Sequence, residues 1–203
     1  KSNGTVVAWG AQGDENHGQA SPPSELTGVV AIAAAPDGFH SLALKGDGTV
    51  VGWGDNSYGQ ATPPVGLSNV TAIAAGGFNS LALKSDGTVV AWGLPSVATN
   101  VPPGLTGVIA IALSSHALAL KSNGTVVSWG WNSYGQTNVP GGLAGVTAIS
   151  AGHGHSLALK NDGTVVGWGQ NTDGQATPPP GLSNVIAVSA GQWHSLALVG
   201  EGP

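Results

Sequence analysis

A five-fold internal repeat constrains this chain more than any other feature. Trp-Gly recurs at Trp9-Gly10, Trp53-Gly54, Trp92-Gly93, Trp129-Gly130 and Trp168-Gly169, at spacings of 44, 39, 37 and 39 residues. A second marker, Ser-Leu-Ala-Leu or its equivalent, begins at Ser41, Ser80, Ala117, Ser156 and Ser195, at spacings of 39, 37, 39 and 39. The extra residues of the first unit therefore lie between Trp9 and Ser41.

Each unit holds three short apolar stretches: one like Ala72–Ala75, the Ser-Leu-Ala-Leu stretch, and Thr-Val-Val-x-Trp as in Thr88–Trp92. Stretches of about five residues have strand length and leave no room for a helix. Between the second and third stretch sits Asn3-Gly4, Asp47-Gly48, Asp86-Gly87, Asn123-Gly124 or Asp162-Gly163. Asn-Gly or Asp-Gly between apolar runs predicts a hairpin, with a type I′ turn expected. The first stretch is small (Ala, Ile, Gly) and the third carries Val and Trp. That size gradient suits a radial array whose inner strands crowd an axis. Pro-rich connectors such as Ala61–Pro64 and Ala176–Pro179 cannot lie in central strands, since Pro lacks the ladder donor. They read as crossings between blades. The prediction is an all-β, five-bladed β-propeller of three-stranded blades, forming one domain over 1–203.

Residues 1–10 read as a turn and third strand with no partners before them, and Trp193–Leu198 as a first and second strand with no third after them. The expectation is a ring closed by the N-terminal strand, the last blade being shared by both termini. The alternative is a piece of a larger ring cut at an equivalent point.

Gly and Pro (34 and 13 of 203 residues) raise the question of disorder, which the 41% apolar content and the regular period answer. The absence of Cys excludes disulfides, thiolate zinc sites and thiol catalysis. Charged residues are only 7%, with five Lys, no Arg and a formal charge of −5. Nucleic-acid binding needs dense positive charge and is not expected. No apolar run reaches the roughly 18 residues of a membrane-spanning helix, so no membrane partner is expected, and the chain reads as a monomer.

The wording Asn-x-Tyr-Gly-Gln, Val-x-Ala-Ile-Ala-Ala-Gly, His-Ser-Leu-Ala-Leu-Lys and Asp-Gly-Thr-Val-Val-x-Trp-Gly resembles the regulator-of-chromosome-condensation repeat across essentially the whole chain. The short unit looks most like the secreted bacterial β-lactamase-inhibitory propellers of that superfamily. That resemblance implies three-stranded blades presenting loop aromatics to a protein partner, no enzymatic activity, and a secreted or cell-surface location. Five units rather than seven put the same target in doubt. The nucleotide-exchange role of the eukaryotic namesake on the GTPase Ran is not expected, as no basic tail or long wedge loop is seen.

The residues themselves give little support to catalysis. No acidic pair recurs at the spacing of a dyad, and neither a Gly-x-Ser-x-Gly elbow nor a Walker loop is present. His40, His116, His155 and His194, with Asn79 at the remaining position, precede the second strand. Equivalent positions on a ring cannot converge on one ion, so no metal is expected and hydrogen bonding to loop backbone is. The recurrent Trp read as inter-blade packing. The Lys, all at one repeat position, read as a solvated ring. No cofactor is expected.

Differences between units carry more information. The loop between first and second strands varies through Phe39, Phe78, Ser114-Ser115, His153 and Trp193, and the segment after Trp-Gly through Asp55–Tyr58, Trp131–Tyr134 and Gln170–Asp173. Strand alternation places both sets on one face, opposite the Asp/Asn-Gly turns. The candidate site is thus Phe39, Phe78, Trp193, Tyr58, Trp131 and Tyr134, with Asp37, Asp55, His153 and Asp173. Loop aromatics on a rigid frame suit a protein interface. Carbohydrate binding of lectin type is the alternative, and an architectural module of a larger surface protein a third.

Overall fold

A computed structural model describes residues 4–10, 13–36, 38–95 and 98–201. Asp37, among the candidate residues, lies outside them.

The first blade is β1 (Val29–Ala34), β2 (His40–Lys45) and β3 (Val50–Gly54), and the second β4 (Val70–Gly76), β5 (Asn79–Lys84) and β6 (Val89–Gly93). The third is β7 (Val108–Leu113), β8 (His116–Lys121) and β9 (Val126–Gly130), and the fourth β10 (Val146–Ala151), β11 (His155–Lys160) and β12 (Val165–Gly169). The fifth holds β13 (Val185–Ala190) and β14 (Ser195–Val199). Every blade is an antiparallel meander in chain order. The only helical turn among the described residues is a three-residue 3-10 segment, Gly13–Glu15. The all-β, five-unit reading holds.

The core lies between blades. Leu81 and Leu83 of the second blade pack on Val108, Leu113, Ala117 and Trp129 of the third, and equivalent clusters join the first to the second and the third to the fourth. The middle strands β2, β5, β8 and β11 are each buried along five of six residues, whereas β14 is exposed. The small inner strands β1, β4, β7, β10 and β13 pack side by side in sequence order. The four strand-borne Trp are 7–9% exposed. Each indole N–H donates to a carbonyl of the preceding connector: Trp53 to Gln19, Trp92 to Gln60, Trp129 to Ala98 and Trp168 to Gln136, at 2.8–3.0 Å.

One expectation needs correction. The hairpins form, but not through type I′ turns. Of the two central residues only the Gly is left-handed (Gly48 φ 79°, Gly87 76°, Gly163 76°). Gly48 N–H donates to the Lys45 carbonyl and Lys45 N–H to the Thr49 carbonyl, which is a type I turn followed by a Gly bulge. The Asp47 carboxylate takes the Thr49 amide and hydroxyl, fixing that geometry in place of the mirror-image turn.

The described ends of the chain show part of the expected shared blade. Among the described residues the fifth sheet has two strands, and residues 4–10 form none. Those residues lie against the first blade: the Gly4 carbonyl accepts Val29 N–H at 3.0 Å, and Val6 packs on the cluster of Leu26, Ala43 and Trp53. Gly48, Gly87, Gly124 and Gly163 make the same bond to the following blade. The segment thus behaves as an outer strand toward its successor, while the edge of β14 away from β13 has no strand beside it among the described residues. Trp9 is 85% exposed, and Leu196 and Leu198 on β14 about 60%.

Candidate functional site

The backbone alone proves that the two variable loop sets share one end of the blades. The residue after each Trp-Gly donates its N–H into the loop between first and second strands: Asp55 to Phe39 (2.7 Å), Leu94 to Phe78 (3.0 Å), Trp131 to Ser115 (3.4 Å) and Gln170 to Gly154 (2.8 Å). The Asp/Asn-Gly turns lie at the other ends of the same strands, where they bond to the next blade. We call the loop end the upper face and the turn end the lower.

On the upper face the aromatics meet across blades. Tyr134, Trp131, His153 and Trp193 form a continuous strip over the third, fourth and fifth units, with consecutive ring centroids 5.3, 5.5 and 5.3 Å apart. His153 is held by the Ser115 hydroxyl, 3.2 Å from its Nδ1. Tyr58 and Phe78 make a separate edge-to-face pair at 5.3 Å, and Phe39 stacks on His17 at 4.5 Å. Tyr58, Phe78, Tyr134 and Trp193 remain 40–49% exposed, so ring contact with neighbours leaves much of each in solvent. Trp131, His153 and Phe39 are half-buried.

The two described acidic candidates differ. Asp55 accepts from the Ser57 amide and hydroxyl and from Gln60 Nε2, bonds that hold its carboxyl below the ordinary range. It serves mainly to shape its loop. Asp173 is exposed, and its carboxylate meets only the Thr172 hydroxyl, at 3.3 Å, among the described residues. It sits in the fifth unit with Trp193, and both line a groove of about 410 Å³. Sequence reading left His17 unassigned. Its position in the inserted first loop was the available signal.

Below this face lies a layer of buried imidazoles. His40 Nε2 meets Ser80 Oγ at 2.9 Å, His116 meets Ser156 at 2.7 Å and His155 meets Ser195 at 2.9 Å, each Ser belonging to the next blade. Hydroxyls of the next blade are thus their side-chain partners, with the Asn79 backbone as a further partner at His40. Ser80, Ser156 and Ser195 each donate onward to a connector carbonyl, of Gln60, Gln136 and Gln175. A hydroxyl that donates its hydrogen can only accept from Nε2–H, which leaves Nδ1 bare. His116 and His155 Nδ1 are indeed buried without a partner. Burial pushes the His40 and His116 pKa down to about 4 and lowers that of His155. These residues stitch blades and are not assembled for proton transfer to a ligand. Where the histidine is replaced, by Asn79, the next blade offers Ala117 instead of Ser.

Among the described residues no group of three or more His, Cys, Asp or Glu could hold a metal ion, and no helix is long and apolar enough to cross a membrane. The family model described as the regulator of chromosome condensation (RCC1) repeat matches residues 37–60, 70–97, 114–136 and 146–175, together just over half of the chain. No curated protein matches. Among solved structures, Prp20p of Saccharomyces cerevisiae is 21% identical with a TM-score of 0.71, covering 87% of this chain and 57% of its own; that work also addresses its binding to Gsp1p and histones. Yeast RCC1 (Prp20) in complex with Kap60 is 24% identical with a TM-score of 0.66, covering 84% and 53%. The ectodomain of the Physcomitrella patens receptor kinase CR4 is 22% identical with a TM-score of 0.72, covering 86% and 51%. The chain thus spans just over half the length of these structures, and the likeness is one of fold.

Proposed function

The chain belongs to the regulator of chromosome condensation (RCC1) repeat family, and from that premise we propose that it is a non-catalytic scaffold that binds a protein through its upper face. The observation that carries this reading is the strip Tyr134–Trp131–His153–Trp193, built across three units, in which Trp131, His153 and Trp193 stand at positions that the repeat leaves variable. Large rings with exposed surface on a stiff frame give contact area at little conformational cost, the usual make-up of interface hot spots. The similar yeast propellers are described with protein partners, which agrees with this use of the fold. The resemblance in repeat wording favours an enzyme as partner, a β-lactamase being the first to try, and a secreted or cell-surface location.

The test is capture of a β-lactamase panel on the immobilised protein, alongside a glycan array. The expected result is protein capture that Trp131→Ala and Trp193→Ala abolish. Glycan binding without protein capture would replace the reading by the lectin alternative. Capture indifferent to both substitutions would remove the upper face from it.

A further inference from the structure

Charge along the sequence is divided between two kinds of segment. Of the ten acidic residues, Asp14, Glu15, Asp37, Asp55 and Asp173 fall in the upper-loop segments, and Glu25, Asp47, Asp86, Asp162 and Glu201 outside them. All five lysines also fall outside them. The remainder of the chain is therefore formally neutral (five Lys against five acids), and the net charge of −5 falls on those variable segments of the sequence, with Asp55 and Asp173 among the described residues on the upper face. Lower-face acids are neutralised where they stand: Lys45–Asp47, Lys84–Asp86 and Lys160–Asp162 are ion pairs at 3.3, 3.1 and 2.7 Å. Asp173 has no such cation among the described residues, and it lines one groove with Trp193, which is 44% exposed.

We propose that the upper face takes a basic polypeptide segment, with an arginine or lysine side chain lying against Trp193 and paired to Asp173. This rests on the upper face being the binding surface and adds the chemistry of what it binds. A carboxylate and an aromatic ring lining one groove satisfy both properties of such a side chain: its charge, and the attraction of a cation to a ring face. Complementary fields also steer the encounter, so binding weakens with salt. An acidic partner segment would meet unrelieved repulsion from a face that carries no lysine or arginine.

The experiment is fluorescence anisotropy with a labelled dodecapeptide of alternating Arg and Gly, and with its Glu-for-Arg counterpart, at 0.15 M and 0.5 M salt. Binding of the Arg peptide is expected, lost at the higher salt, with none for the Glu peptide. Asp173→Asn and Trp193→Ala should each weaken it about fivefold or more, while Asp86→Asn on the lower face leaves it unchanged. No Arg-peptide binding, equal binding of the Glu peptide, or equal losses from Asp86→Asn and Asp173→Asn would each overturn the proposal. If a captured protein depends on Trp131 and Trp193 but not on Asp173, the upper face stands as the interface and the basic partner falls. If it depends on none of these residues, both fall.

Discussion

The two ends of each blade are built from the same strands yet obey opposite rules. At the lower end, units one, two and four repeat Asp-Gly-Thr, and one carboxylate caps the Thr amide and hydroxyl and pairs with a Lys two residues before it. Those polar groups are satisfied within the turn. At the upper end no two loop pairs are alike, and their rings meet across blades while staying partly in solvent. Uniformity marks groups that serve the frame. Diversity marks groups that the frame does not need.

The largest break in this contrast is to the frame that both faces share. Trp92→Ala removes a buried indole and its bond to the Gln60 carbonyl. We expect a loss of about 3–5 kcal/mol, read by chemical denaturation, with both faces lost together. Acid comes next. The unfolded chain protonates His40 and His116 near the ordinary 6.5, whereas the folded chain resists until about 4. Stability is full at pH 7 and falls as pH drops through 6.5 toward 4, by on the order of 2 kcal/mol per histidine at pH 5. Melting temperatures at pH 7 and 5 measure it. A flat profile would mean that the inter-blade imidazoles are not buried as described. A smaller effect follows from Asp86→Ala, which uncaps the Thr88 amide and hydroxyl: the melting temperature should drop by roughly 2–4 °C with upper-face binding intact. Smallest of all, Tyr58→Ala should leave the melting temperature within about 1 °C, as a half-exposed loop ring supports little of the frame. A larger drop would assign Tyr58 to packing against Phe78.

Much of this was legible in the sequence. The Trp-Gly period located every complete blade, and Asp-Gly located the hairpins, because both encode local backbone needs. The turn type was not legible, since Asp47 can occupy a mirror-image turn or cap its own Thr49, and only geometry decides. Nor was the fate of residues 4–10. Residues 4–10 share the wording of the other third strands and make the same bond to the following blade, but local wording does not encode a contact with the far end of the chain. The His–Ser stitches were partly legible, since the unit with Asn79 is followed by the unit with Ala117 in place of Ser. The upper strip was placed on the correct face by strand alternation, but the order Tyr134–Trp131–His153–Trp193 depends on side-chain reach across blades.

The measurement that bears most directly on the division between faces is one paired comparison on the captured protein panel. A Trp131→Ala/Trp193→Ala double variant is set against an Asp86→Ala/Asp162→Ala double variant, each checked for its melting transition. The account predicts loss of capture for the first and capture within about twofold of the parent for the second. Retained capture by the first, or its loss in a still-folded second, would contradict it.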